Sequence, residues 1–143
     1  MNKIVSIRMV SMAMVLISIV LMSGLTSAEE FMPLSGEGKK IWIGKEYYFI
    51  YSFNKTPQLG TSILKVELYD KDGKRDTTLN ITGDSGMPSM AGHHDSGDMV
   101  LQKNKKGDYL LPVNVVMRGG WEVRLTFLKD DKPIFKGSIP FNV

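Results

Sequence analysis

Between Trp121 and Phe127 every second residue is apolar: Trp121, Val123, Leu125 and Phe127 alternate with Glu122, Arg124 and Thr126. A period of two places one set on each face of a β-strand, so this stretch can bury one face and wet the other. Ser62–Tyr69 repeats the pattern, with Leu64, Val66 and Leu68 set against Lys65 and Glu67. From Lys45 onward short apolar runs are punctuated by turn residues, and none sustains a 3.6-residue period over a helical length. Strands are expected over 46–53, 62–69, 76–82, 99–102, 109–116, 121–127 and 134–143. Asp70-Lys-Asp-Gly73 and Asp130-Asp-Lys-Pro133 separate them as turns, because Asp tolerates and Gly supplies the backbone angles a hairpin needs. About seven strands with turns every eight to twelve residues predict an all-β fold, an immunoglobulin-like β-sandwich, with a small barrel as the alternative. In the strand from Tyr109, residues 109, 111, 113 and 115 should face inward. Trp121 should anchor the core beside them.

The start of the chain has a different character. Lys3 and Arg8 precede Met9–Met22, 14 residues without a charge, and then come Gly24 and the small residues Thr26-Ser27-Ala28. This is the pattern of a signal peptide, with cleavage expected after Ala28. Cleavage would leave 115 of the 143 residues, of which 29–43 read as a loose lead-in and 44–143 as the domain. If the segment is not cut, residues 9–28 approach the roughly 20 apolar residues of a spanning helix and would act as a membrane anchor. Both routes export the domain, to the periplasm or the cell envelope.

Charge then takes on a different meaning. The whole chain carries +3, with 18 Lys and Arg against 15 Asp and Glu, and two of those positive residues lie in the export segment. Lys103, Lys105 and Lys106 cluster around Asn104 and Gly107, which reads as a solvated turn. Nucleic acid is therefore not an expected partner. The absence of Cys excludes disulfides, thiolate metal sites, catalytic thiols and lipid-modified cysteine.

One segment interrupts the strand pattern. Gly83–Asp98, 16 residues, is too long for a tight hairpin and holds both histidines of the protein, His93 and His94. Met87 and Met90 precede them and Met99 follows. Thioether sulfur is a soft ligand and imidazole a borderline one, so a Met/His set without Cys suits a copper ion, Cu(I) above all, better than zinc, calcium or magnesium. Gly86, Gly92 and Gly97 permit sharp bends, and Pro88 stiffens the Met-Pro-Ser-Met segment. The competing reading is structural: Met87 and Met90 fill apolar space and the His-His pair sits in a solvated turn. Asp84, Asp95 and Asp98 lack the spacing of a calcium loop and read as turn formers. Met117 can join Met87, Met90 and His93 only if its hairpin and the long loop share one end of the sandwich.

The ordered set Met87-Pro-Ser-Met90, His93-His94, Gly107-Asp-Tyr109 and Met117-Arg-Gly-Gly-Trp-Glu-Val123 resembles the YtkA-like family, related to the FixH-like proteins. The likeness spans about 44–143, with Gly119 in the place of the family glycine and Gly120 in a variable position. The resemblance implies a small exported or membrane-anchored β-sandwich domain, associated with copper handling or respiratory-oxidase assembly. Copper, or a copper-handling membrane protein, is then the expected partner. No nucleophile elbow or hydrolase arrangement accompanies Ser85 and Ser89, and two histidines are too few for a multi-His catalytic centre, so no enzyme is expected. Two functions stand open: copper binding through Met87, Met90 and His93, completed by His94, Met99 or Met117, and a metal-free interaction module docking on a membrane or envelope partner.

Overall fold

The computed structural model describes residues 30–143, so the segment expected to be a signal peptide lies outside the described residues. The protein is a β-sandwich of two five-stranded sheets. In chain order the strands are β1 (Met32–Pro33), β2 (Ile41–Ile43), β3 (Tyr47–Phe53), β4 (Gly60–Asp70), β5 (Asn80–Gly86), β6 (Met99–Val100), β7 (Gln102–Lys103), β8 (Tyr109–Val115), β9 (Gly120–Lys129) and β10 (Lys132–Asn142). One sheet has the order β1-β10-β9-β5-β6 and the other β2-β3-β4-β8-β7. All pairs are antiparallel except β1 with β10. Among the described residues no helix is long and apolar enough to cross a membrane.

The chain changes sheet at both flanks. Between β1 and β2 it crosses on one side, and Leu101, between β6 and β7, carries it across on the other. Leu101 is buried and its N–H donates to the Ile81 carbonyl at 2.9 Å. The four outer strands have only two or three residues each, which limits the unpaired backbone that an edge offers to other chains.

The alternating residues meet between the sheets as expected. Tyr109, Leu111, Val113 and Val115 from β8 are buried, as are Trp121, Val123, Leu125 and Phe127 from β9. Phe49, Phe127 and Phe135 form an aromatic cluster, with the Phe49 and Phe127 ring centroids 4.5 Å apart. The Tyr109 hydroxyl donates to the Leu79 carbonyl at 2.7 Å, tying the start of β8 to the approach to β5.

Three expectations are corrected. Ten strands replace seven, because β1 and β2 both form within the lead-in and 99–102 splits into β6 and β7 where the chain changes sheet. The lead-in is docked: β1 pairs with Gly137 and Ser138, Leu34 N–H donates to the Ser138 carbonyl, and the Tyr51 hydroxyl donates to the Ser35 carbonyl. The strand expected over 76–82 starts instead at Asn80 and continues to Gly86, so the loop shrinks to 87–98. Gly83-Asp-Ser-Gly86 has turn composition, but tertiary contacts hold it extended. Gly83 passes so close to the opposite sheet that a Cβ there would stand 2.9 Å from Leu111 Cδ2 of β8, and 3.0 Å from Leu125 Cδ2 of its own neighbour β9. Asp84 pairs with Arg124 of β9, whose Nε donates to Asp84 Oδ1 at 2.9 Å.

Candidate metal site at the Met87 end of the sandwich

Met87 follows β5 directly and its backbone is still extended. That continuation keeps its side chain on the inward face, where it is 5% exposed and part of the core. Pro88–Met90 then form a single 3₁₀ turn, for which the fixed φ of proline at the first position is suited. Met90 N–H donates to the Met87 carbonyl at 2.9 Å and His93 N–H to the Met90 carbonyl at 3.1 Å. Two successive tight turns thus carry Met90 and His93.

The rest of the loop is pinned back onto β5. Ser96 N–H donates to the Ser85 carbonyl, and Ser85 N–H donates to Ser96 Oγ, both at 2.9 Å. The Asp95 carboxylate receives the Gly92 N–H at 2.9 Å and lies against Gly86, where an added Cβ would come within 2.1 Å of Asp95 Oδ1. Asp95 is therefore the anchor of the loop as well as a turn former. Its spacing alone gives no sign of this, because the Gly86 contact forms only once the loop folds back.

The β8–β9 hairpin lies at this same end. Gly119 has φ +138°, and a Cβ on it would stand 2.8 Å from the Met87 Cε. The Met87 methyl therefore fills the space that the glycine leaves empty. Trp121 Nε1 donates to the Met117 carbonyl at 3.0 Å, and Gly119 exchanges two backbone hydrogen bonds with Val143. This fixes the turn that presents Met117. Between the 3₁₀ turn and the ends of β9 and β10 lies an open groove of about 540 Å³, lined by Pro88, Ser89, Trp121, Glu122, Pro140 and Phe141 among others.

The six sequence candidates separate into two groups. Met87 meets the Met117 turn at Gly119, and Met90 and His93 follow Met87 through two tight backbone turns. Met90 and Met117 are 36% and 37% exposed, while Met87 is nearly covered. His94 and Met99 face a different groove of about 440 Å³, with Ser85, Asp95, Thr61 and Asn114. Among the described residues no three His, Cys, Asp or Glu side chains gather as a metal-binding group. A soft-metal site here would thus draw on thioethers, as the donor chemistry of Met87, Met90, Met117 and His93 permits.

On the outer face of the same sheet Asp84 pairs with Arg124, and the hydrogen bond from Arg124 to Asp84 raises the guanidinium pKa further.

Residues 45–126, more than half of the chain, match the YtkA-like family. The chain belongs to the YtkA-like family. The matched stretch runs from just before β3 into β9 and includes the 87–98 loop, the Met117 hairpin and Trp121. In this YtkA-like domain the lead-in and β10 lie outside the match. No curated protein and no solved structure matches the chain.

Proposed function

We propose that this YtkA-like protein is an exported, non-catalytic copper-binding protein that holds Cu(I) at the Met87 end of its sandwich. One observation carries the reading: the Met87 methyl occupies the hollow at Gly119, which brings the Met87–His93 turns and the Met117 hairpin together from opposite parts of the chain. Met90, His93 and Met117 are the primary ligands in this reading, because all three are exposed whereas Met87 is buried in the core. Met87 supports the turn from beneath and can contribute its sulfur. Bound Cu(I) would be held by soft thioether and imidazole donors, a set that suits transfer to another soft site. His94 and Met99, facing their own groove, stand outside this shell. The family resemblance to proteins of copper handling and oxidase assembly points in the same direction by analogy.

The test is a Cu(I) titration of the full chain against a competing chelator. The expected result is one ion per chain, with affinity falling at least about a hundredfold in Met90→Leu/Met117→Leu while the unfolding midpoint stays unchanged. Leu keeps the apolar volume at both positions, so loss of affinity reports lost sulfur. Unchanged affinity in that variant overturns the reading. It would favour the second one, a metal-free interaction module, which the burial of Met87 in the core supports.

A further inference from the structure

The outer faces of the two sheets differ in chemistry. On the sheet of β5, β9 and β10 the outer side is mostly polar: Asp84, Arg124 and Ser138 share one cross-strand row, Thr82, Thr126 and Lys136 share the next, and the ring of Phe31 lies against Arg124 and Lys136. On the other sheet, the corresponding side near β2 carries an aromatic row. Trp42, Tyr48 and Tyr69 are register partners across β2, β3 and β4, and the isolated bridge from Tyr69 to Arg75 extends the row. The rings touch in sequence, with centroids 5.1 Å apart for Trp42 and Tyr48 and 5.0 Å for Tyr48 and Tyr69. Lys40 Nζ sits 4.6 Å from the Tyr48 centroid and the Arg75 guanidinium 5.1 Å from that of Tyr69. Trp42 at the edge remains 50% exposed.

Charge is concentrated around that row. Lys39, Lys40, Lys45, Lys71, Lys74 and Arg75 are all exposed and flank it from β2 and from the turn after β4. Arg75 is paired with Asp108 and Glu67, which leaves the five lysines against Glu46, Asp70 and Asp72, the acidic residues of the same segments, an excess of two positive charges. The other described residues, Arg75 included, hold eleven cations against eleven carboxylates. Asp70 is further engaged, accepting hydrogen bonds from the Asp72 and Lys74 N–H groups.

We infer that the Trp42 edge docks this domain on an anionic lipid surface. A half-exposed indole within a ring of lysines matches the boundary between acyl chains and headgroups: the ring enters the interface, and the lysine stems lie along it with their ammonium groups among the phosphates. Position along the chain favours lipid over an acidic protein. If residues 9–28 are retained as the membrane anchor, the alternative to cleavage, they end only 14 residues before Trp42 and would keep this edge near the bilayer. The polar face of the other sheet would then point away. The inference stands apart from the metal reading, since none of its residues belongs to the Met87 site.

Brominated phospholipids test it, because they quench tryptophan at the interface. The full chain is reconstituted on vesicles of phosphatidylglycerol with phosphatidylcholine, and on phosphatidylcholine alone, with Trp42→Phe measured beside the wild type. Trp121, 2% exposed, supplies the unquenched background. On anionic vesicles the wild type should show a quenched, blue-shifted component that Trp42→Phe lacks. Replacing Lys39, Lys40 and Lys45 by Gln should reduce the docked population by about fivefold per charge. Trp42 left unquenched on anionic vesicles that carry the protein overturns the inference, and so does equal quenching on neutral ones. A soluble polyanion that shields Trp42 equally well without lipid would assign the patch to an acidic macromolecule and overturn it too.

Discussion

Tyr109 shows how one side chain can tie the fold to pH. It is fully buried, with its hydroxyl donating to the Leu79 carbonyl at 2.7 Å, and burial pushes its pKa up to about 12 from an ordinary 10. The folded state therefore holds the phenolic proton more tightly than the unfolded chain. Its contribution is fully present below pH 10 and is lost as pH rises from about 10 to about 12, amounting to roughly 2–3 kcal/mol across that window. Denaturant unfolding at a series of pH values should show the decline, and Tyr109→Phe should flatten it while losing about 1–2 kcal/mol at neutral pH, because the Leu79 carbonyl is left without its donor. A decline of equal size in the variant would remove Tyr109 as its source. The adjacent Asp108 works in the acid range: burial pushes its carboxyl up, but the hydrogen bond from Asn104 and the Arg75 guanidinium outweigh that and hold it below the usual range. Its contribution is present at neutral pH and is lost as pH falls through that lowered value.

At the scale of the element, β5 decides where the candidate site begins. By composition Gly83-Asp-Ser-Gly86 is a turn, and by structure it is the last half of a strand. Gly83 is required there by space, since a side chain would meet Leu111, Leu125 and Leu101 from both sheets. Gly83→Val should cost about 2–4 kcal/mol by pushing the sheets apart, measurable as a lowered denaturant midpoint, whereas the same change at exposed Gly36, with nothing within 4 Å of the added Cβ, should cost under about 0.5 kcal/mol. Equal effects at the two positions would show that β5 does not approach the opposite sheet closely. The long strands β4 and β9 were legible because their alternation is clear: each inward residue is apolar or small and most outward ones are polar. β5 was not, because its inward face includes Gly83 and Ser85, which carry no hydrophobic signal. Met87, read as a candidate ligand at a loop position, turns out to be the next inward residue of that same series.

For the molecule as a whole, the lead-in closes the sandwich at the β10 edge. Leu34 sits over Gly137 so closely that a Cβ on the glycine would stand 2.5 Å from Leu34 Cδ2. β1 and the Leu34 hydrogen bond then cap part of the edge that β10 would otherwise expose. Leu34→Ser should lower stability by about 1–3 kcal/mol and speed proteolysis around 30–40 in limited digestion, with the β3–β9 core still protected; an unchanged cleavage rate would mean that the lead-in is held by other contacts. The amino-acid sequence by itself determined the all-β class, the strands with clear alternation, the turn at Asp70–Gly73 and a turn at Asp130-Asp131, shorter than the expected 130–133 because Lys132 and Pro133 already belong to β10, and the concentration of Met and His in one loop. These follow from local periodicity and from backbone preferences that act over a few residues. Only the tertiary structure decided that the Met87 loop and the Met117 hairpin meet, that His94 and Met99 face elsewhere, and that three aromatic side chains from three strands form one row. Each of those facts depends on strand register and on contacts between residues far apart in the chain, and no local pattern encodes them.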